Sequence, residues 1–308
     1  MVDGVGVEVW LGNAQSWECD TMGHLNVGNY VAKCMEGLAG LARELGMPDA
    51  FTASATSTLA VREQHIRFLR EARPSAILTM TGGVLEMGES EARVLLLLHH
   101  ADGALSASFN TVIAHVTAAD LRPFPWPERV RARAEALKIG LPGQAAPRGV
   151  SLEPVAVHAS LKRAEILGLP RIGLGVVKPS ETDPFGRLRT DVVMARISAS
   201  ASHLVRKLIL PTSTPETRQI GGAVLEYRLI HLDYPGVGRG FEMRSGLASV
   251  EPRSRRLVHW ILDRDTGRPW AVAEAVKVAF DLKARRITEL DPEAQAQLQA
   301  AVKPGLTL

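Results

Sequence analysis

Apolar residues recur at helical spacing over 29–45, where Val31, Leu38, Leu41, Ala42 and Leu45 gather on one side of about four turns and Gly46-Met47-Pro48 ends the run. Extended segments follow at 58–69, 77–85, 92–99 and 105–117, marked by alternation or β-branched content. The same order then returns, with a helix over 189–210 and extended segments at 223–232, 239–249, 256–263 and 269–281. Asp102-Gly103 and Asp265-Thr266-Gly267 supply matching hairpin turns. Each half therefore predicts one long helix followed by an antiparallel meander. A helix so apolar is best buried by a sheet that curls around it.

A single ungapped shift of 163 residues pairs Asp20 with Asp183, Gly23 with Gly186, Pro48 with Pro211, Glu63 with Glu226, Gly83 with Gly246 and Asp102 with Asp265. One register that serves all of them indicates a duplicated domain. Between the copies lie Arg122-Pro123-Phe124-Pro125-Trp126-Pro127, a charged stretch at 128–138, and Gly140-Leu141-Pro142-Gly143. Proline density and the change of composition mark a linker, with a short basic helix allowed in its middle. The expected organisation is a first domain over 1–127, a linker over 128–150 and a second domain over 151–308.

With 308 residues and 46% apolar composition, the chain can bury a large core. A net charge of +3, carried by scattered lysines and arginines, gives no stripe that would track a phosphate backbone, so nucleic acid is not an expected partner. Cys19 and Cys34 form no metal-spaced cluster and no disulfide framework, which fits reduced thiols in a cytoplasm. No basic segment followed by an apolar run opens the chain, and the aliphatic stretch 94–98 is too short to span a bilayer. Neither export nor membrane anchoring is expected.

The chemistry concentrates in Asp20-Thr21-Met22-Gly23-His24-Leu25-Asn26. A strand ending at Cys19-Asp20, a turn through Gly23 and a helix opening near Asn26 would set a carboxylate beside unpaired helix-start amides, which can hold an oxyanion. Cleavage of an activated acyl group needs that pairing, with the carboxylate attacking the carbonyl or deprotonating water. Capping or turn formation explains the same aspartate equally simply. His24 can face a site or brace the turn, and Asn26 can cap the helix. On an alternating strand Glu63 would share a face with Val61 and His65, reaching a site or forming a surface cross-strand pair. His99, His100 and His115 have no convergent partners in sequence, Glu36 needs a partner if buried, Cys34 reads as core and Cys19 should point away from whatever Asp20 faces. The second copy echoes the frame as Asp183-Pro184-Phe185-Gly186-Arg187-Leu188-Arg189. No Walker-type loop, GxSxG elbow or HExxH accompanies these segments.

The first copy resembles the hotdog-fold acyl-CoA thioesterases of the 4-hydroxybenzoyl-CoA thioesterase type, whose signature runs Asp, two residues, Gly-His, one residue, Asn, then Tyr four further on. Asp20, Gly23, His24, Asn26 and Tyr30 fill it, and Glu36 and the stretch 61–68 also look like the family's segments. The resemblance spans roughly residues 7–127, and the second copy looks like a more distant member. It implies an α+β chain of two tandem hotdog domains, each a long central helix wrapped by a curved antiparallel sheet, arranged as an intrachain pseudo-dimer open to further homo-oligomer formation. Asp20 would be the catalytic carboxylate, with the thioester carbonyl against amides near Gly23 and His24. Asn26, Tyr30, Glu63 and His65 would contact substrate. The expected substrate is an acyl-CoA, with coenzyme A as part of it and no metal or separate cofactor. In the second copy Arg187, Arg189, Val193 and Ala199 stand where His24, Asn26, Tyr30 and Glu36 do, so Asp183, Gly186 and Arg187 form a diverged second site. Two other readings stay open. Hotdog hydratases of the enoyl-CoA type set Asp and His five positions apart around an Asn-Pro, whereas Asp20 and His24 are four apart with no such pair; the other is non-catalytic acyl-CoA binding.

Overall fold

The computed structural model describes residues 6–208, 220–281, 283–284 and 286–308. Two compact units emerge: Met1–Ala146 with Pro179–Ala195, and Pro147–Lys178 with Arg196–Leu308. No helix among the described residues is long and apolar enough to cross a membrane.

In the first copy, strand β1 (Val7–Asn13) precedes helix α1 (Val27–Glu44), and strands β2 (Ser57–Phe68), β3 (Ile77–Met87), β4 (Glu91–His100) and β5 (Leu105–Thr117) follow. They form an antiparallel sheet in the order β1-β3-β4-β5-β2. Helix α2 (Glu128–Ala136) comes next. The second copy has a short helix α3 (Leu161–Ile166), strand β6 (Arg171–Val176), helix α4 (Thr190–Lys207), and strands β7 (Ile220–His231), β8 (Gly240–Val250), β9 (Ser254–Asp263) and β10 (Pro269–Asp281). These strands run in the order β7-β10-β9-β8-β6, and strand β11 (Arg286–Thr288) pairs with β10 before helix α5 (Pro292–Ala300). The chain is thus α+β with two tandem hotdog copies. The shift of 163 carries α1 onto α4, β2 onto β7, β3 onto β8 and β4 onto β9 residue for residue. The expected helix end at Leu210 and the repeat residue Pro211 lie outside the described residues.

Helix α1 starts where its cap allows: the Asn26 side chain accepts the Gly28 amide at 2.9 Å. Val31, Leu38, Leu41, Ala42 and Leu45, the residues that gave the helical period, are all 1% exposed or less. Each large aliphatic among them contributes about 1.5–3 kcal/mol by leaving water. Glycines at 37 and 40 weaken the helix by about 1 kcal/mol each, yet they are what lets it lie on the sheet. A β-carbon at Gly37 would overlap the Met80 sulfur, and one at Gly40 would overlap the Val9 carbonyl oxygen.

Strand β2 departs from simple alternation. Val61 faces Ile113 while Glu63 faces Val112, so Arg62 is a bulge and Val61 and Glu63 lie on opposite faces. The helix side is fixed by Gln64, whose amide reaches the Cys34 sulfur at 3.7 Å. Glu63, His65 and Arg67 consequently occupy the outer face. That face is covered by the stretch whose prolines and charges favoured a linker. Leu137 and Ile139 bond the Val84 backbone at 2.9 Å each, and Arg67 donates to the carbonyls of Gln144 and Ala146 at 2.8 and 3.0 Å. Ala145 and Ile139 pack with Leu85, Leu95, Leu97 and Leu105. In the second unit Glu226 takes the corresponding role, accepting the Arg148 and Gly149 amides at 2.9 and 2.7 Å. Its outer face is closed by Trp260 and Leu262 against Ala164, Leu169, Leu306 and Leu308.

The β9–β10 hairpin is tied by Asp263. One oxygen accepts the amides of Asp265 and Thr266 at 2.9 and 2.8 Å, and the other accepts Arg239 at 2.7 Å and the Trp270 indole at 3.2 Å. Burial pushes this carboxyl up, but Arg239 and the two amides outweigh that and hold it well below the usual carboxylate range.

Two stability measurements follow. Gly40→Ala should destabilise by about 1–3 kcal/mol in urea unfolding, although alanine is the better helix former, because the added β-carbon would overlap the Val9 carbonyl oxygen; a stabilised variant would contradict the close approach. Asp263→Asn should cost about 2 kcal/mol near neutral pH. Because the folded group is depressed, its contribution is full above the unfolded value of about 4 and fades as pH falls below it. The Tm gap between wild type and Asp263→Asn should therefore shrink in acid, and a gap that widens there would refute the assignment.

Candidate active site

The Asp20 segment folds as a closed turn. Strand β1 ends at Asn13 rather than at Cys19, and a short turn of 3-10 helix, Ser16–Glu18, delivers the chain to Asp20. Asp20 exchanges backbone bonds with the far side of the turn: its amide donates to the His24 carbonyl at 2.8 Å, and its carbonyl accepts the Gly23 amide at 3.0 Å. Gly23 sits at φ +72°, a conformation that costs glycine nothing. Oδ1 of Asp20 accepts the Met22 amide at 2.8 Å and the His24 amide at 3.3 Å. The amides of Gly23 and His24 are therefore spent inside the turn. Among the described residues the first amide of α1, Val27 N–H, has no acceptor. The local chemistry that pointed to an aspartate near a helix start gave no means of telling which amide would stay open.

The second copy builds the same turn. Asp183 donates to the Arg187 carbonyl at 2.7 Å, Gly186 at φ +77° donates to the Asp183 carbonyl at 3.0 Å, and Oδ1 accepts the Phe185 and Arg187 amides at 2.9 Å each. What differs is the other oxygen. Oδ2 of Asp183 is held by the Arg187 guanidinium at 3.3 Å, which also donates to the Ala118 carbonyl at 3.0 Å and lies over the Phe185 ring. At the matching place in the first copy, His24 turns to Glu71, with Nε2 3.1 Å from the carboxylate. Asp20 is exposed, and its Oδ2 has no partner among the described residues.

Tyr30 lies beneath this turn at 4% exposure, edge-on to Phe68. Its hydroxyl accepts the Ala72 amide at 3.0 Å and lies 3.2 Å from Ser106 Oγ, which donates to the Arg70 carbonyl at 2.8 Å. Both hydrogen-bonding directions of the phenol are thus engaged, and burial raises its pKa. The Ala72 carbonyl accepts the Leu25 amide at 2.8 Å. Tyr30 accordingly ties the segment that carries Glu71 to the turn that carries His24. Asn26 is the helix cap, Glu36 is exposed and accepts the Trp10 indole at 2.7 Å, and Glu63 and His65 lie on the outer face of β2.

Sequence reasoning missed the anchor of the turn. Lys33, 4% exposed on α1, bonds both oxygens of Glu18 at 2.8 Å. The Glu18 backbone carbonyl accepts the Asn26 amide at 2.9 Å and the Asn29 side chain at 2.7 Å. A lysine on the same helix stripe as Tyr30 and Gly37, with Glu18 repeated as Glu181, was the available signal. Burial, then the Asp20 and Glu18 carboxylates, push the Cys19 thiol up.

The sequence model of the thioesterase-like superfamily matches residues 14–134 and again 177–298. Among solved structures, one described as an oleoyl thioesterase from Lactobacillus plantarum superposes with a TM-score of 0.67 at 12% identity, covering 90% of this chain and 97% of that one. An acyl-ACP thioesterase from Bacteroides thetaiotaomicron gives 0.60 at 11% identity over 87% and 96% of the two chains. The 12:0-ACP thioesterase from Umbellularia californica gives 0.60 at 9% identity over 88% and 93%. At these identities the likeness is one of fold. No curated protein sequence matches the chain. With both copies matched over most of their length, the chain belongs to the thioesterase-like superfamily.

Proposed function

We propose that the chain hydrolyses an acyl-CoA thioester, with Asp20 as general base or nucleophile. The observation that carries this reading is the asymmetry of the duplicated turn: the second oxygen of Asp183 is bound to Arg187, and that of Asp20 is exposed without a partner among the described residues. A carboxylate fixed through one oxygen keeps the other aimed, and an aimed carboxylate either attacks a carbonyl or takes a proton from water. Val27 N–H, at the positive end of α1, suits the carbonyl oxygen as charge develops there. Collapse of the adduct breaks the C–S bond and releases the thiol, and water supplies the oxygen of the acid.

His24 and Glu71 act in this reading as positioning residues at the rim of the turn. A histidine committed to Glu71 weighs against the hydratase alternative, in which an Asp and a His act together to add water across a double bond. Asp183 keeps its turn for structural reasons and contributes no catalysis. The acyl-ACP thioesterases among the similar folds make a carrier-linked acyl chain the second substrate form to try.

Free-thiol release from a panel of acyl-CoAs, and from the same acyl groups on an acyl carrier protein, tests the proposal. Asp20→Asn should lose about 100-fold or more in kcat/KM, while Asp183→Asn should stay near wild type. Undiminished turnover by Asp20→Asn would sink the assignment, as would hydration of an enoyl-CoA without thiol release. Tyr30→Phe separates substrate contact from support. It should lower stability by about 2 kcal/mol and leave KM unchanged below its Tm, whereas a raised KM in an equally stable protein would put the hydroxyl on the substrate.

A further inference from the structure

Two large apolar side chains stand in water beside Asp20. Trp17 is 79% exposed and Met22 45% exposed, three residues before the aspartate and two after it. Three residues of chain span at most about 11 Å, so both side chains start close to the exposed carboxylate. A β-carbon at Gly23 would meet nothing within 4 Å, so that side of the turn is open.

The repeat separates what the fold requires here from what it does not. Exposed leucines at 11 and 69 recur as exposed Leu174 and Leu232, and so belong to the architecture common to both copies. Trp17 and Met22 do not recur in that way. The short 3-10 turn Ser16–Glu18 is rebuilt as Pro179–Glu181, with Ser180 in the place of Trp17. Turn formation therefore has no need of an indole. Phe185 replaces Met22, but the Arg187 guanidinium lies over its ring at 4.6 Å while also holding Asp183. One arginine thus covers the apolar residue and the carboxylate together in the second copy, and in the first copy both are open.

Trp17 is presented on a fixed backbone. Its neighbour Glu18 is bonded through both oxygens to Lys33, and the amides of Glu18 and Cys19 return to the carbonyls of Gln15 and Ser16 at 3.1 and 3.3 Å. At the two ends of the segment, the Ala14 carbonyl accepts the Ser75 amide and the Leu25 amide donates to the Ala72 carbonyl, each at 2.8 Å. A large aromatic on a pre-ordered backbone loses little freedom when it is covered, and a methionine beside it adapts to the shape of what covers them. The charges around the pair are Asp20 and Glu71 against His24 and the exposed Arg73, with Arg70 paired to Asp102. They leave no excess of positive charge for the phosphates of a nucleotide, so an uncharged aliphatic chain is the better occupant.

We propose that Trp17 and Met22 are specificity-determining residues that receive the aliphatic part of the acyl group and favour longer chains over short ones. The proposal rests on the reading of Asp20 as the hydrolytic carboxylate.

Two readouts keep the contact apart from the reaction. The first is kcat/KM for acyl-CoAs from butanoyl to dodecanoyl. Wild type should favour the longer chains, and Trp17→Ser, which copies the second repeat and should keep the wild-type Tm, should lessen the gain from butanoyl to dodecanoyl by about 10-fold. A flat wild-type profile, an equal loss at every chain length, or a marked fall in the Tm of the variant would each overturn the proposal. The second readout needs no turnover: tryptophan emission is followed during titration with the thioether S-dodecyl-CoA, with free CoA as control. Trp126, Trp260 and Trp270 are buried and the Trp10 indole is bonded to Glu36, so a shift on binding reports chiefly on Trp17. A saturable blue shift should appear with the thioether, be absent with CoA and be lost in Trp17→Ser. No saturable shift, or one that survives in Trp17→Ser, would count against the contact. A shift lost in Trp17→Ser, in a protein that releases thiol from no acyl-CoA, would uphold the contact and remove the hydrolytic reading instead.

Discussion

One oxygen of Asp20 closes a turn onto the amides of Met22 and His24, and this use of half the carboxylate determines what the other half can do. The turn has no freedom to rotate the group away, because its backbone is closed twice, from Asp20 to His24 and from Gly23 to Asp20. Beneath it, Glu18 is clamped by Lys33 and holds the start of α1 through the Asn26 amide. Position is therefore inherited from the helix, and α1 takes its own position from Gly37 and Gly40, which seat it against Met80 and the Val9 backbone. A chain of close contacts runs from the sheet through the helix to one carboxylate oxygen.

Keeping the turn and keeping its chemistry are separate requirements, and the duplication displays both. Asp183 and Gly186 preserve the closed turn with nearly the same distances, so turn formation alone suffices to retain an aspartate and a glycine at these places. The residue four after the aspartate decides the rest. Arginine there reaches back to the second oxygen, whereas His24 is drawn off by Glu71. Glu71 is itself positioned by a segment that Tyr30 ties down through the Ala72 amide. The signature tyrosine thus acts on the site at a distance, through the loop that carries the histidine's partner.

Much of this was legible in the chain. Val31, Leu38, Leu41, Ala42 and Leu45 marked a buried face because helical periodicity reports burial directly, and the repeat at 163 placed α4 and β7 to β9 from their counterparts. The bulge at Arg62 was not legible, since it adds one residue without altering composition, and it moves Glu63 to the face opposite Val61. The cover at 137–146 was also hidden. Its prolines mimic a linker, while its bonding runs through backbone carbonyls that Arg67 reaches from a distant strand. Glu18 with Lys33 and His24 with Glu71 share that difficulty, because each pair joins segments that only the fold brings together.

The two copies also spend their buried charge in different places. In the first, the buried lysine is matched by a carboxylate that meets it with both oxygens, and the pair is spent on holding the turn. In the second, the carboxylates of the sheet are engaged on the outer face, where Glu226 holds the Arg148 and Gly149 amides and Glu274 meets Arg256. A buried carboxylate recovers the cost of leaving water only where donors meet it, so each of these groups marks a place where one segment is fixed to another.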